Sequence, residues 1–262
     1  MKKKVVLMTT FGLVILIAVI AAALNALFTV TKIDVRFETC STEGASEAVS
    51  LQSKLDEEFL GRSTTFLDLE DIKLAVREYP SFELVSVEKD YPQTVLVQLA
   101  ERKEVFAYQK ENGVYAVFDG NGIYLYDKES NVSRLGGKNV LLDGFTIETM
   151  TAGEQVTGEY IPEVLSLTSV FIKELDNVRA NIVSIQLLEH RMEGLYFRLQ
   201  MTEGVYIDVY TPKNHTAEKA EAILAAYRTL SYEEKLYGYF DVMDHVDGEH
   251  FTVSRHYDTP AA

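Results

Sequence analysis

Histidines and carboxylates crowd into one stretch near the end of the chain, "DVMDHVDGEH" at residues 241–250. Imidazole and carboxylate are common metal ligands, so a metal centre is the first chemistry to weigh. The spacing fits no metal-binding template. Asp247-Gly248 lies instead between two strand-like runs, "GYFDVMD" and "HFTVSR", and Asp-Gly in that setting is a strong short-range hairpin signal. The stretch reads as a solvated turn, and no metal ligands are assigned.

Other reactive patterns fail on spacing. "LGGKN" at 135–139 resembles a phosphate loop. That motif, however, needs a glycine five residues before the one in its Gly-Lys pair, and Ser or Thr after the lysine. Val132 and Asn139 occupy those two places. The strand-to-helix nucleophile motif G-x-S-x-G is absent. The single cysteine, Cys40, closes no internal disulfide and has no histidine beside it. Asn131-Val132-Ser133 and Asn214-His215-Thr216 match the glycosylation acceptor, a pattern frequent by chance. The expectation is a chain without catalytic residues, cofactor or small-molecule substrate. Its net charge of −15 repels phosphate backbones, which excludes nucleic acid as a natural partner.

With chemistry set aside, the elements decide what the chain can present. It opens on Lys2, Lys3 and Lys4 and then runs from Val5 to Phe28 without a charge. A helix over 5–28 rises roughly 36 Å, enough to cross a membrane. The lysines place residues 1–4 in the cytoplasm and the bulk outside. The expectation is a single-pass cell-membrane protein with a retained anchor, the alternative being a leader cleaved after Ala26.

Beyond the span, Ile33, Val35 and Phe37 alternate with polar residues as in a half-buried strand. A polar patch at 39–46 reads as a loop. Ala48, Leu51, Leu55 and Phe59 share a helical face that stops at Gly61, and a second helix is capped by Asp68, lined by Ile72, Ala75 and Val76 and ended by Pro80. Two strands follow, Phe82 to Lys89 and Thr94 to Ala100, around the turn Asp90-Tyr91-Pro92. Residues 29–102 thus make an α+β unit of two helices on a three-stranded sheet.

From Lys103 the chain becomes a succession of short strands with Asn112-Gly113, Gly120-Asn121-Gly122 and Glu203-Gly204 at turns. Two helices interrupt. One starts at Pro162, and the other carries Ala217, Ala220, Leu224 and Tyr227 on one stripe. Residues 103–256 read as a mainly antiparallel β domain with two or more helices, and 257–262 as a tail.

These features in this order resemble the bacterial cell-division family FtsQ/DivIB. The segment "TTFLDLEDIKLAVREYPSFELVSVEKDYPQTVLVQLAER" is similar to the family's POTRA domain at Pro80, Val85, Val87, Lys89, Tyr91-Pro92 and Glu101-Arg102. "AVFDGNGIYL" resembles the segment that follows, and "KAEAILAAYRTL" with "GYFDV" and its Asp241 resembles the family's late helix and strand. Departures are Glu104 where proline is frequent, Val242-Met243-Asp244 where Leu-Arg-Tyr is frequent in Gram-negative members, and the brevity of "MKKK". The resemblance implies a non-enzymatic, membrane-anchored divisome scaffold at the septum. It would link early division proteins to the bitopic FtsB/DivIC and FtsL. The rival reading is a membrane-anchored extracytoplasmic cell-wall enzyme.

The last strands are the expected partner surface, since little chain remains to cover their edge, and an uncovered edge invites strand addition. The resemblance points to the same C-terminal part of the β domain as the receiver of FtsB/DivIC. The partner-binding candidates are Phe240, Val242, Asp244, Phe251, Thr252 and Val253. Phe240 and Val242 could equally be core.

Overall fold

The computed structural model describes residues 2–38, 41–175 and 177–258, with side chains from Phe11 onward. Cys40 and the end of the expected tail lie outside the described residues. The chain divides into two compact units, Met1–Glu101 and Arg102–Ala262.

The first unit opens with helix α1 (Lys2–Leu27). Among the described residues, no helix is long and apolar enough to cross a membrane. This corrects the expected membrane-spanning helix at 5–28 and, with it, the expected single-pass membrane location. The described side chains of α1 begin at Phe11. The helix ends where Phe28 meets the ring of Tyr91 edge-on, with centroids 6.2 Å apart.

Strand β1 (Lys32–Phe37), helices α2 (Thr42–Phe59) and α3 (Leu69–Arg77), and strands β2 (Phe82–Asp90) and β3 (Thr94–Glu101) complete this unit. The sheet order is β1-β3-β2, with β1 parallel to β3 and β2 antiparallel to it. Alternation places Val95, Val97 and Leu99 of β3 on the buried face, against Leu51, Leu55 and Phe59 of α2 and Ile72 and Val76 of α3. Asp68 caps α3 by accepting from the Glu70 amide.

The loop expected at 39–46 is corrected over 42–46, residues 39 and 40 lying outside the described residues. Ser41 caps α2 from its side chain to the Gly44 amide, and the helix has begun by Thr42. What holds it there is distant in sequence: the Glu101 carboxylate accepts from the Ser41 hydroxyl at 2.7 Å and from the Ser41 amide at 2.5 Å.

The second unit holds strands β4 (Glu104–Gln109), β5 (Tyr115–Asp119), β6 (Tyr124–Lys128) and β7 (Val140–Asp143), then helices α4 (Ile161–Glu174) and α5 (Val178–Asn181). Strands β8 (Ile182–His190), β9 (Gly194–Met201) and β10 (Tyr206–Tyr210) follow, then helices α6 (Thr216–Thr229) and α7 (Tyr232–Lys235) and strands β11 (Tyr239–Asp244) and β12 (Phe251–His256). They form one nine-stranded sheet in the order β12-β11-β10-β9-β8-β7-β4-β5-β6.

The sheet is mixed, not a simple antiparallel meander. The pairs β4–β7, β7–β8 and β10–β11 are parallel, because the chain between the strands of each pair crosses over through longer connections, two of which carry the helices. Helices α4 and α6 pack on each other and share one core with the sheet, built on Phe106, Phe118, Phe171, Phe197, Leu199 and Ile207. The expected stripe of α6 is also adjusted. Ala217 is exposed, whereas Lys219 is fully buried beside Ala220, Ile223, Leu224 and Tyr227.

Candidate functional site

Strand β12 is the last in its sheet, so among the described residues one of its sides has no ladder. Register fixes which groups face that side. β11 and β12 pair as Tyr239 with His256, Val242 with Val253 and Asp244 with Phe251. At the hairpin end the His245 amide donates to the His250 carbonyl at 2.8 Å. Hydrogen-bonded pairs recur at every second position of an antiparallel ladder. Met243–Thr252, Asp241–Ser254 and Tyr239–His256 are therefore the hydrogen-bonded pairs. The N–H and C=O groups of Phe251, Val253 and Arg255 point to the open side. Side chains alternate with the pleat: Phe251 and Val253 are half-buried against the core, while Thr252 and Ser254 are exposed.

The six expected contact residues fall into three settings. Phe240, 4% exposed, and Val242, 0% exposed, are core side chains of β11 and offer no surface. Asp244 faces inward to an ion pair with Lys219, Nζ to Oδ1 at 2.7 Å. Its other oxygen accepts from the Thr211 hydroxyl and from Asn214 Nδ2 at 3.2 Å. These donors hold the Asp244 carboxyl below the usual carboxylate range despite its burial, and burial pulls the Lys219 ammonium below the usual lysine range. Phe251, Thr252 and Val253 form the open strand. Thr252 is tied by its hydroxyl to His245 Nε2 at 2.6 Å, and Phe251 lies against the His215 ring.

The hairpin is held from outside itself. His215 Nε2 meets the Gly248 carbonyl at 3.0 Å, and Lys219 also donates to the Tyr210 carbonyl at 2.8 Å. Thr211 and His215, both with positive φ (46° and 51°), bound the loop that supplies these contacts. At the other end the Arg255 guanidinium donates to four backbone carbonyls: Nη1 to Tyr239 and His256, Nη2 to Glu234 and Tyr237. Neither anchor was assigned from sequence, although a lysine on the apolar stripe of α6 is a signal that a buried partner waits for it.

The face of β9–β12 away from the helices carries a polar and aromatic row. Arg198 grips Asp208 with two bonds of 2.8 Å. Asp241 stands beside Asp208 in the parallel register and meets His256 Nε2 at 3.1 Å. Burial and the neighbouring Asp208 charge push the Asp241 carboxyl above the usual range, against the pull of His256 and Arg198. Tyr239 stacks on His256, and Tyr196 on Tyr210. In the stretch 241–250, His250 contacts Asp247 at 3.2 Å, and no group of histidines, cysteines and carboxylates able to hold a metal ion occurs among the described residues.

The geometry defines a two-unit α+β chain that ends in an anchored, one-sided edge strand. No protein-family model matches the chain, and a search of curated proteins finds no match either.

Proposed function

We propose that this chain is a non-enzymatic scaffold that captures a partner polypeptide as an added strand along β12. The observation that carries this reading is the register. Phe251, Val253 and Arg255 direct their main-chain groups to an open side, while both ends of the hairpin are clamped to the rest of the unit. An edge held in one shape loses little freedom when a strand pairs with it, which favours binding. The resemblance to FtsQ/DivIB suggests the partners: FtsB/DivIC-like and FtsL-like division proteins, which the scaffold would link to early division proteins at the septum.

The test follows from the ladder. Val253→Pro removes an N–H that faces the open side and leaves the β11–β12 bonds in place, whereas Thr252→Pro removes a donor inside the hairpin. In pull-downs with the DivIC-like protein of the same cell, Val253→Pro is expected to lower recovery at least tenfold with its circular dichroism spectrum unchanged. Undiminished recovery by a folded Val253→Pro protein would refute strand addition.

A further inference from the structure

Apart from the β12 edge, the second unit holds a cavity of about 310 Å³ at the α4–α5 corner, lined by residues of that unit alone. Its apolar walls are Val105, Leu135, Ile172, Leu175 and Val178, and its polar groups are Lys103, Glu104, Asn177 and Arg179. Leu135 is exposed, and Ile172 and Leu175 are half-buried, so part of the apolar wall faces solvent.

The charges are unevenly matched. Glu104, 2% exposed, is saturated: it accepts from the Tyr126 hydroxyl, the Arg134 amide at 2.9 Å and Asn139 Nδ2 at 3.0 Å, and pairs with Lys128 at 3.3 Å. Arg179 is half-buried, yet its only hydrogen bonds among the described residues are long ones from Nη1, to the Gly136 carbonyl at 3.2 Å and to Asn139 Oδ1 at 3.4 Å. No carboxylate stands at ion-pair distance from it among the described residues. Burial pulls the Arg179 guanidinium below its usual range, offset in part by the Glu104 charge. Lys103, exposed at the rim, has no ion pair among the described residues either.

A half-buried guanidinium normally finds a carboxylate, because its desolvation is otherwise uncompensated. Here two cations with no ion pair among the described residues line one apolar-walled cavity, on a chain whose net charge is −15. We propose that this cavity is a binding site for a carboxylate side chain next to a large apolar residue on a partner polypeptide. The carboxylate pairs with Arg179 and Lys103, and the apolar group covers Leu135, Ile172, Leu175 and Val178. The site is independent of the β12 edge and would give the scaffold a second point of attachment.

The protein contains no tryptophan, so a tryptophan-bearing probe reports on itself. The full-length chain is titrated into N-acetyl-Glu-Trp-amide and, separately, into N-acetyl-Gln-Trp-amide, following the blue shift and anisotropy of the probe's emission. A saturable response is expected for the Glu probe, at least tenfold weaker for the Gln probe. Arg179→Gln should cost the Glu probe tenfold or more, and Lys103→Ala severalfold, both variants melting as wild type does. Inorganic phosphate should compete only far above the probe's own dissociation constant. Equal titration of the two probes, full affinity in a folded Arg179→Gln protein, or displacement by phosphate at concentrations as low as the probe's would each overturn the proposal. Val253→Pro should leave this titration unchanged, which separates the site from the strand edge.

Discussion

Lys219 Nζ lies 2.7 Å from Asp244 Oδ1, with the lysine side chain 0% and the aspartate side chain 9% exposed. A buried pair of this kind is weak evidence for stability, but removing one partner strands the other charge and costs about 3–5 kcal/mol. Lys219→Met should therefore lower the unfolding free energy in urea by about 3 kcal/mol. Adding Asp244→Asn to it should restore part of that loss, since no unpaired charge then remains. A double variant as weak as the sum of the singles would show that the two side chains do not act as a pair.

How much of this was legible in the sequence depends on the range of the force involved. Alternation in β3 and the spacing of Ala48, Leu51, Leu55 and Phe59 in α2 are local patterns, visible because each such face meets one core. The Asp68 cap was equally plain. The start of α2 was not, because Ser41 is held by Glu101 sixty residues away. Nor was the parallel pairing of β10 with β11, which depends on the whole α6–α7 connection. Among the site residues, the open strand Phe251–Val253 follows from its place after the Asp-Gly turn. The inward turn of Asp244 needed Lys219, which no short window contains.

The Glu101 contact gives a prediction in the first unit. A Cβ added at Gly44 would sit 2.5 Å from Glu101 Oε1 and 2.7 Å from its carboxyl carbon, closer than packed atoms allow. Gly44→Ala must push the carboxylate off the Ser41 amide and hydroxyl. The expected cost is about 1–3 kcal/mol, with faster hydrogen exchange at the α2 N-terminus. Ser41→Ala, which removes only the hydroxyl, should cost about 1 kcal/mol. An equal or smaller loss in Gly44→Ala would contradict the crowding seen at Glu101.

Asp241 gives a pH dependence of definite sign. Its carboxyl titrates above the usual range in the folded protein, with burial the main cause. The protonated form is then the one the fold prefers. Stability tied to this group is greatest below the unfolded value, about 3.9, and falls as the pH rises through the folded one. Asp241→Asn should therefore melt higher than wild type at pH 7, with the gap closing as the pH drops below about 4. Thermal melts at several pH values check this, and a variant that is less stable at pH 7 would reverse the assignment.

Arg255 tests whether the β12 edge owes its shape to its C-terminal clamp. Its guanidinium reaches Glu234 and Tyr237 at 2.7 and 2.6 Å and His256 and Tyr239 at 3.0 and 3.2 Å. The fork thereby ties the strand to the α7–β11 connection. A lysine is a point donor and cannot span that set. Gly238 completes the contact: at φ 77° it brings the backbone so close that a Cβ would lie 2.3 Å from the His256 carbonyl. Arg255→Lys should cost about 2 kcal/mol and speed hydrogen exchange in β12 and the start of β11, leaving β8 and β9 protected. Gly238→Ala approaches the same contact from the opposite side and should give the same exchange pattern. Both variants should bind the added strand more weakly than wild type while retaining its circular dichroism spectrum. If β12 exchange rises in both but strand capture is undiminished, the clamp shapes the hairpin without preparing it for a partner.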